Sequence, residues 1–203
     1  MKKSIWTLKL STAALVLIPV GVGINFIGKF LAVFLKLPLW LDSIGTILSA
    51  MLAGPIVGAI VGFINNLIVT VTTDPMAWPY ALTQIAIGIV AGVLAKTGFI
   101  KDFGRVIILG LSAGFTAVLV STPLNLRFWD GMTGNIWGDA VYTWMIKKDF
   151  PIWFSSLCDE IVIDLPDKLV VAILAFLIFK SLPKTLISMY EENKVETFNE
   201  SDL

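Results

Sequence analysis

The chain is organised in long apolar blocks that are separated by short polar segments. A helix that crosses a bilayer needs about 20 mostly apolar residues. By that measure the pattern predicts about six spanning helices, near residues 8–27, 39–52, 55–71, 79–95, 106–126 and 159–179. We therefore expect an all-α, polytopic membrane protein with a six-helix substrate-binding domain over 1–183. A short cytoplasmic tail over 184–203, solvated and frayed, is expected to follow.

The last apolar block begins with a run of charged residues. Asp159, Glu160, Asp164, Asp167 and Lys168 lead directly into its apolar remainder. A charge at the bilayer centre costs about 2.5–3.5 kcal/mol even on the insertion scale. On a helix, the last four of these residues follow i, i+4, i+7, i+8 spacing and share one face. That face is unsuited to lipid and predicts a binding site, although Lys168 could also simply neutralise Asp164.

Composition narrows the class of protein. Hydrophobic residues make up 57% of the 203 residues and charged residues 15%, whereas soluble domains carry about 25% charged residues. Lysine plus arginine and aspartate plus glutamate number 15 each, so net charge offers no argument for a nucleic-acid partner. With no histidine and one cysteine, histidine metal sites, Ser/His or Cys/His pairs and disulfides are excluded within the chain. We expect no enzyme activity, no cofactor and no metal site.

One short motif has the spacing of a nucleotide-binding loop. Residues 23–29 match GxxxxGK, but no Ser or Thr follows the lysine and no strand precedes the motif. ATP hydrolysis by this chain is therefore not expected.

Charge asymmetry predicts the orientation in the cell membrane. More lysines and arginines fall on the side that holds both termini, which the positive-inside rule places in the cytoplasm. The polar connections 29–38, 72–78 and 127–157 then lie outside the membrane. Six of the seven tryptophans lie in or beside these three connections. An interfacial aromatic belt explains Trp40, Trp144 and Trp153 best. The other outer tryptophans could equally line a site.

The outer segment 121–139 is the most distinctive stretch of the sequence. It reads STPLNLRFWDGMTGNIWGD, in which Pro123 is predicted to break or kink the fifth span near its outer end. A polar loop of ~30 residues is usually a lid or a binding loop. With the charged face it suggests the following candidate substrate-binding residues: Trp78, Gln84, Asn125, Arg127, Trp129, Asp130, Asn135, Trp137, Asp139, Glu160, Asp164 and Lys168. Pairing of Arg127 with Asp130 and bonding of Gln84 to a neighbouring helix are the alternatives.

Two further patterns concern helix ends and helix packing. Gly54, Gly58 and Gly62 form a double small-xxx-small motif that suits close approach of a partner helix, or of a helix in this same chain. Asp42 stands beside Ser43 at the start of the second span and is predicted to cap that helix rather than to touch a ligand.

Three segments together resemble a known family. The run 39–62 (LWLDSIGTILSAMLAGPIVGAIVG), the segment STPLNLRFWDGMTGN and the entry to the last span, CDEIVIDLPDK, are similar to the S component of an energy-coupling-factor (ECF) vitamin transporter. The resemblance covers roughly residues 5–183. It implies capture of a micronutrient at the outer face, together with a transmembrane scaffold subunit and two cytoplasmic ATPase subunits. The family's alanine-rich docking pattern on the first helix is matched at Ala13 and Ala14.

The balance of outer groups bears on the substrate. Carboxylates and tryptophans outnumber cations there, which favours a neutral or cationic heterocycle such as a pyridoxine-like ring, a thiamine-precursor pyrimidine or a nucleoside. A self-sufficient, ion-coupled secondary transporter is one alternative, since it also uses intramembrane carboxylates. A membrane sensor or an assembly subunit is another. Uptake by the lone protein in an ion gradient would separate the first alternative from the family interpretation.

Overall fold

The computed structural model describes residues 12–192, and within that range the backbone forms helices and no strand. In chain order these are α1 (Thr12–Phe34), α2 (Ile44–Ala53), α3 (Pro55–Thr72), a 3₁₀ helix (Pro75–Tyr80), α4 (Ala81–Lys96), α5 (Phe103–Phe128), α6 (Ile136–Ile146), α7 (Ile152–Ser181) and α8 (Lys184–Glu192). The predicted all-α fold is confirmed.

Four helical segments of the described chain are long and apolar enough to cross a membrane. They are Thr12–Phe34, Pro55–Thr72, Pro75–Lys96 and Phe103–Phe128. The second predicted span contains only the apolar 10-residue helix α2, and the sixth corresponds to the longer, charge-bearing α7. Six crossings therefore stay a prediction.

Neighbouring helices run antiparallel, which brings their connections to two ends of the bundle. Gly21 of α1 packs against Gly45 of α2, and Gly28 of α1 packs against Leu41, which precedes α2. Across α5 and α7, Gly114 lies against Leu165. The connections 35–43, 73–80, 129–135 and 147–151 consequently meet at one end, which we call the loop end.

The glycine motif on α3 is used inside the chain. A Cβ atom on Gly58 would lie 2.6 Å from the Ala50 Cβ atom, and one on Gly62 would lie 2.7 Å from the Gln84 carbonyl oxygen. Gly54 is also buried, and so is Ala14. Gly58 and Gly62 thus pack against helices of this same chain, which is the alternative that the sequence left open. Contact of Gly54, Gly58, Gly62 and Ala14 with a partner subunit stays a prediction. Ala13 is half-buried.

The start of α2 is held by a side chain from α1 rather than by its own cap. Asn25 Oδ1 accepts hydrogen bonds from the backbone N–H groups of Gly45 (2.7 Å) and Thr46 (3.2 Å), and Asn25 Nδ2 donates to Thr46 Oγ1. These are N–H groups that a helix leaves without intrahelical partners. The predicted capping role of Asp42 is wrong, because Asn25 binds the free N–H groups at the start of α2. The Asp42 side chain instead lies beside the Lys168 ammonium group.

The outer segment predicted as one long loop is largely helical. It contains α6 and the first turns of α7, which leaves 129–135 and 147–151 as connections. Pro123 lies inside α5, which continues to Phe128, so it does not end that helix. The α6 helix packs along α7, and no other helix in the described chain contacts it to a comparable extent.

The chain after Pro183 is also more ordered than expected. Residues 184–192 form α8, and Tyr190 packs against a small cluster of Ala14, Leu17 and Val57. The expectation of a frayed extension is wrong for α8, because that apolar contact holds the helix on the bundle. Residues 193–203 lie outside the described range, and the boundary at 183 stays a prediction.

Candidate functional site at the loop end

A cavity of about 580 Å³ opens at the loop end of the bundle. Its wall combines side chains from α1, the 35–43 connection, α3, the 3₁₀ helix, α4, α5, the 129–135 connection, α6 and α7. Small-molecule sites typically have volumes of about 300–1,000 Å³ and mix apolar walls with a few oriented polar groups. The volume therefore suits a compact organic molecule.

Lys168 is the centre of a buried group of charges in the cavity wall. Its Nζ atom lies 2.5 Å from Asp167 Oδ2 and 3.5 Å from both Asp42 Oδ1 and Asp164 Oδ1. The predicted pairing of Lys168 with Asp164 is thus present, although Asp167 is its nearest partner. One cation is shared among three carboxylates, so it has no spare charge for an anionic ligand.

Asp167 also connects α7 to the distant 35–43 connection. Its Oδ1 atom accepts hydrogen bonds from the backbone N–H groups of Trp40 (3.0 Å) and Leu41 (2.8 Å). A carboxylate that accepts backbone N–H groups is a strong, directional anchor. It places Trp40 and Asp42 at the cavity.

A second network orients Glu160. The Tyr80 hydroxyl donates to Asn125 Oδ1 (2.5 Å), and Asn125 Nδ2 donates to Glu160 Oε1 (2.5 Å). The direction of both bonds is consistent, because the amide oxygen accepts from the phenol and the amide nitrogen must then donate. Glu160 is held with one oxygen engaged, and it forms no ion pair in the described part of the chain.

The 129–135 connection forms one side of the cavity and is tied down by carboxylates. Asp139 Oδ1 accepts from the backbone N–H groups of Thr133 and Gly134, each at 3.1 Å. The Thr133 hydroxyl donates to Asp159 Oδ1 at 3.0 Å. These bonds keep the connection against α6 and α7.

Tyr142 supports the same connection from behind. Its hydroxyl donates to the backbone carbonyl of Asp130 at 2.6 Å. Burial, with the Asp130 and Asp159 carboxylates nearby, raises the pKa of Tyr142, so the phenol stays a donor. Gly131 has φ = +93° and packs directly on this ring, a position in which other residues would be strained.

Aromatic rings and a weaker ion pair complete the wall. Trp40, Tyr80, Phe128 and Trp129 line the cavity, together with Met76 and Met132. On the side facing α1, Lys29 Nζ lies 3.5 Å from Asp74 Oδ2, and both residues face the cavity.

The comparison with protein families decides the class of this molecule. The family profile described as "ECF transporter, substrate-specific component" matches residues 13–190. The chain belongs to this family. It is an S component, a substrate-specific subunit of a membrane transporter, and the family is one of transport rather than catalysis. No curated protein and no solved structure matches the chain.

The structure brings seven of the predicted site residues of this S component to the cavity wall. They are Gln84, Trp129, Asp130, Asp139, Glu160, Asp164 and Lys168. The i, i+4, i+8 spacing on one helix face correctly brought the three α7 residues together. Whether each of them binds a ligand stays a prediction.

Five predicted residues do not line the cavity of the S component. Asn125 lies behind the wall and orients Glu160, whereas Asn135 accepts from the Trp137 N–H group at the start of α6. Trp137 itself is exposed and donates through Nε1 to the Lys36 carbonyl. Arg127 and Trp78 are also absent from the cavity wall.

Arg127, near the end of α5, and Trp78, on the 3₁₀ helix, do not line the cavity. The Arg127 guanidinium is exposed and sits 5.5 Å from the centre of the Phe128 ring, with no ion pair to Asp130 in the described chain. Trp78 is half exposed and stacks edge-on against Phe128 at 5.0 Å.

Several wall residues were missed because their local sequence gave no distinguishing signal. The sequence predicted Asp42 as a helix cap and Trp40 as a membrane-interface residue, and Asp74 stands before Pro75 in a short polar connection. Tyr80 follows Pro79 in a segment without charge, and Lys29 lies inside α1. Only their distant partners, such as Lys168 for Asp42, identify them as site residues.

Proposed function

We propose that this S component captures a small vitamin-like heterocycle from the outer side of the cell membrane in the loop-end cavity. Import would then follow in a complex with a transmembrane scaffold subunit and two cytoplasmic ATPase subunits. The observation that carries the proposal is the cavity itself, which combines aromatic rings with oriented polar groups at one end of a bundle of this family. Family membership supports the partner subunits.

The arrangement of charge supports a neutral or cationic ligand over an anionic one. Both lysines in the wall, Lys29 and Lys168, are already paired with carboxylates, and Arg127 lies outside the cavity. Stacking on an aromatic side chain contributes about 1–3 kcal/mol per base-like ring, and a cation over Trp adds about 0.5–2 kcal/mol. A pyridoxine-like ring, a thiamine-precursor pyrimidine and a nucleoside all have the required chemistry.

Native mass spectrometry of the protein, mildly solubilised from its own membranes, tests this function. We expect masses for one further membrane subunit, two ATPases and a small-molecule adduct. A chain that carries no adduct and takes up substrate alone in an ion gradient would instead support a secondary transporter.

Two variants test the location of the site. Trp129→Ala and Asp164→Asn should each weaken binding of the adduct compound by at least about tenfold, since each removes a group from the cavity wall. Trp153→Ala is the matched control, because Trp153 is exposed and does not line the cavity. Unchanged affinity in both site variants would place binding elsewhere.

A further inference from the structure

We propose that the ligand is specifically a cation, that its positive charge lies between Glu160 and Asp164, and that its binding displaces a proton from Glu160. This inference rests on the proposed capture function and narrows its substrate class from neutral or cationic to cationic.

The cavity wall carries more acidic than basic side chains. Six carboxylates line it, whereas only two lysines do. Each lysine is committed: Lys29 to Asp74, and Lys168 to Asp167 and its neighbours. The wall therefore has an excess of negative charge that no side chain of the described chain balances.

Two of these acidic side chains, Glu160 and Asp164, are buried side by side in the wall. Glu160 and Asp164 are one helical turn apart, are 2% and 4% exposed, and both face the cavity. Asp164 shares Lys168 with two other carboxylates, whereas Glu160 accepts from the neutral Asn125 amide and forms no ion pair among the described residues. Asn125 Oδ1 accepts from the Tyr80 hydroxyl, so the neutral amide nitrogen is the group that Asn125 turns toward Glu160.

This arrangement has an electrostatic cost. Removing an ion from water costs several kcal/mol after relaxation, and of two adjacent buried carboxyl groups the one without a cation is the harder to ionise. Lys168 lies beside Asp164, whereas Glu160 has no ion pair in the described chain, so Glu160 retains its proton until a cation arrives. When a cationic ligand arrives, that O–H bond breaks, the proton passes to solvent, and the ligand's charge is balanced by two carboxylates.

Apart from Lys29 and Lys168, no lysine or arginine of the described chain lines the cavity. The polar and charged groups around the pair and the cavity, element by element, are Lys29 on α1, Asp42 before α2, Asp74 and Tyr80 at the 3₁₀ helix, Thr83 and Gln84 on α4, Ser121 and Asn125 on α5, Asp130 and Asp139 around α6, and Asp159, Asp167 and Lys168 on α7. Within residues 12–192, no three Asp, Glu, Cys or His side chains lie together in a way that could hold a metal ion. Together with the aromatic wall, this favours an organic cation.

Two isosteric pairs of probes test the charge requirement on the purified full chain in detergent. Benzylamine and pyridoxamine, both protonated at neutral pH, are compared with benzyl alcohol and pyridoxine by the concentration dependence of thermal unfolding. We expect at least one amine to bind at least tenfold more tightly than its alcohol. Its affinity should rise with pH, by up to tenfold per unit, as the displaced proton is lost more readily.

Variants test the position of the charge. Glu160→Gln and Asp164→Asn should weaken amine binding at least tenfold and flatten its pH dependence. The matched control is Asp149→Asn, an exposed carboxylate outside the cavity, which should leave both unchanged.

Three results would overturn the inference: alcohols that bind as well as the amines, no amine binding, or an adduct mass that belongs to a neutral compound. An adduct mass that belongs to a neutral compound would support the proposed capture function and refute only the claim that the ligand is a cation. Absence of any adduct or partner subunit would count against the proposed function itself.

Discussion

Lys168 is the residue on which the charge balance of the site depends. It lies within 3.5 Å of three carboxylates, and its own side chain is 3% exposed. Breaking a buried ion pair costs more than the pair contributes, because the remaining charges are left without a counterion in a low-dielectric environment.

Lys168→Met should lower the free energy of unfolding by about 3–5 kcal/mol at neutral pH. The loss should shrink as the pH falls, since the stranded carboxylates then take up protons. Thermal unfolding in detergent measures it, with the exposed Lys147→Met as control. Equal midpoints for the two variants would show that the cluster does not depend on this ammonium group.

At the scale of the helix, close backbone contact between α3 and α4 shapes the bundle beside the cavity. Gly88 of α4 faces Gly58 and Ala59 of α3 so closely that a Cβ atom on Gly88 would lie 2.5 Å from backbone atoms of both. Helices in membranes gain much of their association from such packing, because lipid provides no hydrophobic driving force between them.

Gly88→Ala should therefore destabilise the protein by about 1–3 kcal/mol through overpacking. Gly23→Ala is the matched control: it is also a helical glycine, but nothing lies within 4 Å of its added Cβ. That change should be neutral or stabilising by up to about 1 kcal/mol through helix propensity. Thermal midpoints of both variants decide the matter, and a neutral Gly88→Ala would mean that the two helices can separate freely.

At the scale of the whole molecule, the orientation in the membrane determines what the cavity can capture. The loop end holds the cavity, and the proposed function needs that end to face outward with both termini in the cytoplasm. Large apolar side chains on α1 such as Val16, Ile27 and Val33 are more than half exposed, which suits contact with lipid.

Single cysteines can report the orientation directly. In a Cys158→Ser background, Asp149→Cys marks the loop end and Lys101→Cys marks the opposite end. A membrane-impermeant maleimide should label position 149 in intact cells and position 101 only after permeabilisation. The reverse labelling pattern would show that the loop end faces the cytoplasm. It would contradict the proposed capture of substrate from outside the cell.

Local sequence was sufficient for the elements whose residues share one environment. The blocks 55–71 and 106–126 correspond closely to α3 and α5, because a lipid-facing helix is apolar nearly throughout. It was insufficient where the environment changes along an element. The helix α7 begins at Ile152, before the charged residues at which the predicted span began. The segment 127–157 contains α6, which its polar composition did not predict. Asp139 and Tyr142 hold that region through hydrogen bonds that only the structure shows.

The sequence by itself determined that this is an all-α membrane protein of the S-component family with a charged, inward-facing helix surface on α7. Hydropathy and helical spacing are local, so they can be read from the chain. Only the tertiary structure decided which groups meet in the cavity. Asp167 contacts the Trp40 and Leu41 backbone across more than 120 residues, and Lys168 reaches Asp42 in the same way. Such pairings depend on how distant helices pack, which no local pattern records.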